Sequence, residues 1–379
     1  MSIQSSQAFF GELREWSERK LNILEKYLDP FVKILGSKQA VNHVYYVDAF
    51  AGAGLYRDGE KGSALRAAEL AQSYDQANKP YRLKCISIEA DQDNFKNLQA
   101  NTVSYGSLVQ NYFGTFAENI DKVLQQTSGN PALFFLDPFG IKGMDWNLIQ
   151  RIIHRGNATD LWIRFDHTAV TRLNERFKGR DKGARKSFDI LCQSYGVNDR
   201  TLLHKQLSGN SAKDRKQNAV QFYMSRLENE IQKARGKHFV AAYPIRSIIE
   251  QDKYFLVFAT GHAKGASIAS ELICSSEDNY QQELEDFKTS GIYQPSLFNF
   301  EPSKEEVFQN KVAMLAESIW TQCKNEKLTR EEVYERILPE WFGKIRSKHL
   351  THALKVLLDD GRIKRATGTP GNRKTRFTF

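Results

Sequence analysis

Apolar runs alternate with amphipathic stretches along residues 43–140, and three of the runs end in an acidic residue or a turn glycine. These three motifs are YYVDAFAGAG at 45–54, CISIEAD at 85–91 and LFFLDPFG at 133–140. Helical stretches follow at 64–78, 91–101 and 117–127. Continuous apolar runs of this kind are typical of buried parallel strands. The pattern predicts an open α/β sheet with right-handed crossovers, which presents ligand groups at the carboxyl ends of its strands.

Three further runs extend this sheet. DLWIRFD at 160–166 predicts one more strand, and FVAAYPIRSI at 239–248 and KYFLVFATGH at 253–262 predict an antiparallel pair. Residues about 168–236 lie between them, are charged and mostly helical in pattern, and exceed the length of a simple crossover. We expect this helical insertion at the carboxyl edge of the sheet, where insertions often shape substrate pockets.

Separate pieces are predicted on either side of the sheet domain, which we place at 43–283. Residues 7–35 carry apolar side chains at helical spacing up to Gly36, so we expect residues 1–42 to form helices packed on the core. Residues 284–303, with two prolines and the sequence LFNF, are typical of a linker.

Residues 304–379 predict a winged helix-turn-helix. Two amphipathic helices, the second opening with a Thr329/Glu332 capping-box pattern, precede a third helix that ends at Gly361. A Pro370-Gly371 turn then joins two basic strands into a hairpin. Three helices and a hairpin are the parts of a nucleic-acid-binding winged helix. A helical protein–protein module with the same fold is the alternative.

Composition narrows the class of protein. The chain has 379 residues, of which 41% are hydrophobic, and this suits a large α/β domain with smaller pieces. No run approaches the roughly 18 apolar residues of a membrane span, and the N-terminus lacks an apolar signal core, so we expect a cytoplasmic protein. The four cysteines are scattered, which supports neither a disulfide framework nor a metal site.

Positive charge is concentrated in two stretches of the chain. Residues 341–379 hold ten Lys/Arg against two Asp, and residues 164–186 hold eight Lys/Arg against three acidic residues. Positive charge concentrated in this way favours a phosphate backbone as partner. The alternative is a solvated surface that keeps a large protein soluble.

The third apolar run ends in Asp137-Pro138-Phe139-Gly140. This sequence resembles the Asp/Asn-Pro-Pro-aromatic signature of S-adenosylmethionine-dependent amino-methyltransferases, but the second proline is absent and the aromatic residue stands one place earlier. Methyl transfer to a base amine needs acceptors for its N–H groups, an aromatic face for the base, and a base that is unpaired or flipped out. We expect Asp137 and the Pro138 carbonyl to be the acceptors and Phe139 to stack. The alternative for Asp137 is a structural role or a cofactor contact only.

The first motif resembles the cofactor loop of the same enzymes. Its glycines allow the backbone to approach a ligand closely, and S-adenosylmethionine has no phosphate, so the carboxylate of Asp48 suits the methionine amino group. Glu89 ends the next strand and can accept both ribose hydroxyls, whereas its neighbour Asp91 is the alternative residue and can instead cap the following helix. The expected cofactor contacts are Asp48, Phe50, Ala51, Gly52, Gly54, Glu89, Thr115 and Phe116.

Basic residues after the last strands and in the C-terminal module are the candidates for nucleic-acid contacts. His262-Ala263-Lys264-Gly265 is a candidate positioning or phosphate-contact turn. The full set is Arg164, Arg172, Lys264, Lys348, Lys355, Arg362, Lys364, Arg365, Arg373, Lys374 and Arg376.

Together these residues resemble the three-Cys-motif partner (TcmP) family of bacterial methyltransferase-like proteins. The resemblance covers residues from about 40 to about 370. It rests on Asp48–Gly54, Gly62–Leu65, Phe135–Gly140, Trp146, Leu161–Phe165 with Arg172, His262–Gly265 and the C-terminal module. It implies a Rossmann-like class I methyltransferase sheet, S-adenosylmethionine as cofactor, and a separate radical-SAM-like partner protein that bears three cysteines.

Three hypotheses for function follow. The first is an S-adenosylmethionine-dependent methyltransferase that acts on DNA or RNA at a base amine, together with the three-Cys-motif partner. The second is a non-catalytic nucleic-acid-recognition subunit with the same fold, which the incomplete Asp-Pro-Pro-aromatic motif favours. The third is a modifying enzyme with another cofactor, although the first loop lacks the three-glycine pattern that a dinucleotide needs.

Overall fold

The computed structural model describes residues 14–38, 41, 43–179, 181–236, 239–249, 251–289, 303–365 and 367–379. The chain forms two compact units, Met1–His262 and Ala263–Phe379. The start of the predicted N-terminal helix and most of the predicted linker lie outside the described residues.

The first unit alternates strands and helices, as the sequence predicts. Its strands are β1 (Val44–Asp48), β2 (Leu83–Glu89), β3 (Val109–Phe113), β4 (Ala132–Leu136), β5 (Thr159–Phe165), β6 (Phe239–Arg246) and β7 (Asp252–Thr260). Its α-helices are α1 (Glu15–Gly36), α2 (Ser63–Gln76), α3 (Gln92–Thr102), α4 (Phe116–Gln126), α5 (Trp146–Ile153), α6 (His167–Asn174), α7 (Lys182–Tyr195), α8 (Arg200–Leu207) and α9 (Ala212–Arg235).

The seven strands form one sheet in the order β3-β2-β1-β4-β5-β7-β6. Strands β1 to β5 are parallel, and β7 runs antiparallel to both β5 and β6. Asp48 at the end of β1 pairs with Ser87 on β2 and Phe135 on β4. The predicted sheet and its final antiparallel pair are therefore confirmed, and the carboxyl ends of β1, β2 and β4 meet at one edge.

The sheet is buried on both faces. Every residue of β1 and β4 is buried, as expected of continuous apolar runs covered by helices on each side. One face packs in a single cluster with α4, α5 and the insertion helices α7, α8 and α9. Rings of Phe165 and Tyr195 meet Tyr223 at centroid distances of 5.0 and 5.5 Å. The insertion is helical, as predicted, and it contributes to the core.

Helix α1 covers part of the opposite face. The Tyr27 ring contacts Trp162 and Phe258 edge-on, and its hydroxyl donates to Asp160 Oδ2 at 2.6 Å. Tyr27 is 1% exposed and Asp160 is 7% exposed, and burial raises the pKa of Asp160. This buried hydrogen bond ties α1 to β5, and the helix ends at the predicted Gly36.

The described residues of the second unit form four helices and a small sheet. Its elements are α10 (Ala263–Thr289), α11 (Lys304–Cys323), β8 (Lys327–Thr329), α12 (Arg330–Trp341), α13 (Ser347–Asp359), β9 (Lys364–Arg365) and β10 (Arg376–Thr378). The sheet order is β8-β10-β9, and both pairings are antiparallel. The predicted capping box is present: Thr329 N donates to Glu332 Oε2 at 2.7 Å, and Glu332 N donates to Thr329 Oγ1 at 3.2 Å. From α11 onward the order of elements is the one expected of a winged helix.

Helix α10 departs from the predicted domain limits. It runs through Thr289, so residues 284–289 are helical and not part of a linker, and the compact unit begins at residue 263 instead of 304. Gly343 N donates to Ser270 Oγ at 3.0 Å, and Asp278 pairs with Arg346. These contacts join α10 to the turn between α12 and α13, and such long-range contacts leave no periodic signal in the sequence.

Candidate functional site

The end of β1 holds a buried carboxylate. Asp48 is 0% exposed, and it accepts hydrogen bonds from Ser63 Oγ at 2.5 Å, the Tyr46 hydroxyl at 3.2 Å and Phe50 N at 3.3 Å. Burial raises the pKa of Asp48 to about 6, even though these hydrogen bonds act to lower it. A buried, partly desolvated carboxylate is strongly stabilised by a bound cation, so Asp48 can serve as an ammonium-binding group.

The loop after β1 turns onto the end of β2. Gly52 and Gly54 have φ values of 63° and 81°, a left-handed conformation that favours glycine. Gly52 N donates to Glu89 Oε2 at 2.8 Å, and Asp91 N donates to Glu89 Oε1 at 2.7 Å. Burial raises the pKa of Glu89, while these backbone donors lower it. The structure therefore brings the first two motifs together.

The carboxylates of Asp91 and Glu89 have different hydrogen-bond partners. Asp91 Oδ1 accepts from Asp93 N at 3.1 Å and Asn94 N at 3.0 Å, so Asp91 is the N-cap of α3. Glu89 instead lies beside the glycine loop. The sequence alone left both residues open, and this geometry favours Glu89 as the ligand-facing acid.

The end of β3 continues the same edge. Thr115 caps α4 and shares a capping box with Glu118, while Gly114 N donates to Glu89 O at 3.0 Å. The Phe116 side chain is only 3% exposed and belongs to the core, so only its backbone is available to a ligand. Phe113, which sequence analysis did not single out, is 49% exposed and offers an aromatic surface near Thr115.

Asp137, after β4, lies between two basic side chains. The Lys20 ammonium pairs directly with Asp137 Oδ2, and Arg164 Nε lies 3.6 Å from Asp137 Oδ1. Arg164 Nη1 also donates to the Pro138 carbonyl oxygen at 2.7 Å. Both of the acceptors predicted for a target amine are thus engaged by cations of the protein itself.

The Phe139 side chain is 58% exposed at the same edge, and Phe50 packs close to Gly143. Single exposed apolar side chains are common on protein surfaces, so the exposure of Phe139 does not by itself identify a binding site, and its stacking role stays a prediction. Arg164, by contrast, is 9% exposed, a position that shapes the loop after β4 and is poorly suited to meet a phosphate backbone.

Besides Phe113, sequence analysis did not single out Lys20, Tyr56 and Tyr254, which lie near Asp137. Lys20 comes from α1, and its Nζ lies 5.9 Å from the ring centroid of Tyr254. The Arg164 guanidinium lies 4.7 Å from the same ring. Burial and the neighbouring Asp137 raise the pKa of Tyr56 and Tyr254. A signal for Lys20 was present, since it stands four residues before Leu24 in the buried stripe of α1.

The other predicted nucleic-acid contacts lie mostly on the surface. Arg362 pairs with Glu317 of α11, and Lys264 is half-buried near the start of α10. Exposed positions are Arg172, Lys348, Lys355, Lys364, Arg365, Arg373, Lys374 and Arg376.

The turn at His262 does not join the cofactor edge. Because β7 is antiparallel to β5, its last residue Thr260 pairs with Asp160 near the start of β5. His262 therefore follows the opposite, amino edge of the parallel strands, away from Asp48 and Asp137.

The described residues hold neither a metal-binding cluster nor a membrane-spanning helix. No three His, Cys, Asp or Glu side chains of those residues are grouped so that they could hold a metal ion. No helix of the same residues is long and apolar enough to cross a membrane.

No family model and no curated protein matches this sequence. Among solved structures, the O-methyltransferase TomG from Streptomyces achromogenes in complex with SAM shares 9% identity over 63% of this chain and 78% of its own, with a TM-score of 0.33. The O-methyltransferase from Bacillus cereus in complex with SAH shares 10% identity over 63% of this chain and 80% of its own, with a TM-score of 0.31. With TM-scores this low, the fold class depends on the sheet itself.

The strand order, with β7 reversed between β5 and β6, is that of class I methyltransferases. The glycine turn after β1 and the acid at the end of β2 stand at the carboxyl edge, where such open sheets bind their ligands. The chain thus has a Rossmann-like class I methyltransferase fold with a helical insertion.

Proposed function

We propose that this protein is an S-adenosylmethionine-dependent methyltransferase that acts on nucleic acid at a base amine, with a three-Cys-motif protein as partner. The observation that supports the methyltransferase part of the proposal is the meeting of Asp48, the Gly52 turn and Glu89 at one edge of a class I methyltransferase sheet. The nucleic-acid target and the partner rest on the sequence motifs and the basic C-terminal residues.

The residues at this edge suit the cofactor. Asp48 is buried, and its hydrogen-bond partners among the described residues include no basic side chain. An ammonium group would therefore offset the desolvation of its carboxylate. Glu89 retains acceptor capacity beyond its two backbone donors, so it can receive ribose hydroxyls. When bound, S-adenosylmethionine would supply the methyl group to the amine nitrogen, with S-adenosylhomocysteine as the product and loss of one proton from the amine.

Asp137, Pro138 and Phe139 are the residues that we assign to the target. Lys20 now pairs with Asp137, and Arg164 donates to the Pro138 carbonyl oxygen. Before these two acceptors can receive the N–H groups of an amine, Lys20 and Arg164 must move away or share the acceptors with the amine. Phe139 is exposed and can stack on an unpaired base. The exposed basic residues of the winged helix would hold the polymer through its phosphates.

Isothermal titration with S-adenosylmethionine and S-adenosylhomocysteine tests the cofactor. We expect micromolar binding by the wild type and loss of at least tenfold in affinity, about 1.4 kcal/mol, for Asp48→Ala. The control is Asp93→Ala, which removes an exposed carboxyl of α3. No binding by folded, ligand-free wild-type protein would refute the cofactor assignment.

A non-catalytic nucleic-acid-recognition subunit is the second candidate, and one observation favours it. Lys20 and Arg164 already engage Asp137 and the Pro138 carbonyl, which is the arrangement of a structural ion pair. In that case Asp137 serves the fold and not a reaction.

An assay of methyl transfer distinguishes the methyltransferase from the recognition subunit. The substrates are DNA and RNA of mixed sequence, and the partner protein is present. A catalytic Asp137 predicts that Asp137→Asn abolishes transfer while cofactor affinity and thermal stability change little. If transfer survives in this variant, Asp137 has no catalytic role. If the wild type binds nucleic acid but never transfers a methyl group, the recognition subunit is the better description.

A further inference from the structure

A pocket in the second unit is lined by basic side chains from three separate elements. It lies between the first turns of α10, the start of α12 and the loop before β10, and has a volume of about 50 Å³. Its basic residues are Lys264, Arg330 and Arg373. The volume exceeds the roughly 30 Å³ share of one water molecule, so the pocket can admit a group of several heavy atoms.

Arg330 forms the floor of this pocket. It is 6% exposed, and its Nη2 donates to Ser347 Oγ at 2.7 Å, to Ser347 O at 3.0 Å and to Thr351 Oγ1 at 3.2 Å. Its Nε is buried and has no hydrogen-bond partner within the described part of the chain. A buried guanidinium N–H without an acceptor is costly, so this group calls for an anionic or acceptor ligand.

The guanidinium of Arg373 lies close enough to Lys264 and to Arg330 to repel both. Burial lowers the pKa of Lys264 and Arg373 lowers it further, while Glu271 and Glu331 act to raise it. Burial also lowers the pKa of Arg330 and Arg373 contributes to that decrease, while Glu271 acts against it. Since a bound anion would relieve this repulsion, its binding would be favoured by all three side chains.

Three glutamates also line the pocket, and their negative charges lower its affinity for an anion. Glu271 Oε1 accepts from Ser347 N at 3.2 Å, at the N-terminus of α13, while Glu331 and Glu335 lie on α12. A helix N-terminus is a favourable position for an anion, so Glu271 acts as an internal competitor for any anionic ligand.

We propose that this pocket binds a phosphate group, held by Lys264, Arg330 and Arg373. Arginine forks match the geometry of phosphate oxygens, and lysine adds a point charge. The source of the phosphate is either a nucleic-acid backbone, which rests on the function proposed above, or a small phosphorylated molecule.

Two probes and four single variants test the proposal. The probes are inorganic phosphate, followed by thermal unfolding at constant ionic strength, and a labelled mixed-sequence single-stranded oligonucleotide, followed by anisotropy across a salt series. Arg373→Gln and Lys264→Gln should abolish the phosphate-dependent rise in Tm and reduce the salt slope of oligonucleotide binding by about one. Glu271→Gln should strengthen phosphate binding severalfold. Lys324→Gln, which removes an exposed charge of α11's C-terminal end, is the matched control.

Each outcome separates the pocket from the proposed function. If phosphate binds through the pocket and the oligonucleotide depends on it, a backbone phosphate is the ligand. If phosphate binds but the oligonucleotide does not, the ligand of the pocket is a small phosphorylated molecule, and the proposed nucleic-acid function is refuted. If the oligonucleotide binds and no pocket variant changes either probe, the phosphate pocket is refuted while the function stands. If neither probe binds, both are refuted.

Discussion

Asp48 shows how a single buried residue links cofactor binding to stability. Its carboxyl group is fully buried, and burial raises its pKa to about 6. Below the unfolded value near 3.8 the group is protonated in both states and costs nothing. As pH rises from there through about 6, the unfolded chain ionises more readily than the folded one, so stability is lost.

Asp48→Asn should therefore stabilise the ligand-free protein above about pH 6, by up to about 3 kcal/mol, and the gain should vanish towards about pH 4. Urea unfolding of both proteins across this pH range measures the difference. Asp93→Asn, a change at a carboxyl group that is 83% exposed, should show no comparable rise. A pH-independent difference between wild type and Asp48→Asn would contradict the argument.

The same ionisation should appear in cofactor affinity. If the ammonium of the cofactor binds ionised Asp48, affinity should fall as pH drops below about 6, by up to tenfold per pH unit. Titration calorimetry from about pH 5 to about pH 8 measures this trend. Affinity that rises as pH falls would show that the protonated carboxyl is the binding form.

At the scale of elements, the turn between α12 and α13 depends on one glycine. Gly343 has a φ of 70°, and a Cβ there would lie 2.5 Å from Ile273 Cγ2 of α10. Gly361, after α13, has a similar φ of 69°, but beyond its chain neighbours no atom of the described residues lies within 4 Å of an added Cβ. The pair thus separates backbone strain from steric contact.

We expect Gly343→Ala to lower the free energy of unfolding of the second unit by about 2–4 kcal/mol and Gly361→Ala by about 1–2 kcal/mol. Chemical denaturation of both variants, followed by a signal from the second unit, measures the difference. If both variants lose the same free energy of unfolding, the Ile273 side chain of α10 moves aside for the added methyl group without destabilising the unit.

Local elements were largely predictable, because their causes are local. The runs that became β1, β2 and β4 are continuous and apolar, and the Thr329/Glu332 pattern specifies its helix start by itself. The Lys20–Asp137 ion pair and the docking of α10 were not predictable, because each joins residues distant in the sequence. The sequence placed Glu89 and Asp91 together at the end of β2 but could not choose between them. The hydrogen bonds that Glu89 accepts from the backbone N–H groups of Gly52 and Asp91 show that its carboxylate lies beside the glycine loop.

At the scale of the whole molecule, charge is the property that predicts behaviour. The chain carries a net charge of +9, and residues 341–379 hold ten basic residues against two acidic ones. Long-range attraction to a polyanion depends on this distribution and weakens with salt.

Substitution of Lys364, Arg365, Lys374 and Arg376 by Gln should weaken binding to DNA and RNA alike and reduce the salt slope by up to about four. Anisotropy across a salt series measures it. Four exposed lysines of the first unit, Lys79, Lys96, Lys122 and Lys213, give a control with the same change in charge. Equal effects of the two sets would show that net charge, and not the hairpin, determines binding.

The ion pair between Lys20 and Asp137 has a consequence for the N-terminal helix. Any group that takes Oδ2 of Asp137 from Lys20, whose side chain is only 5% exposed, must change what holds α1 to the sheet. Occupation of the site and opening of α1 are then thermodynamically coupled, and each must alter the other by the same free energy. Amide exchange along α1 would therefore report, from outside the site, whether Asp137 has exchanged its partner.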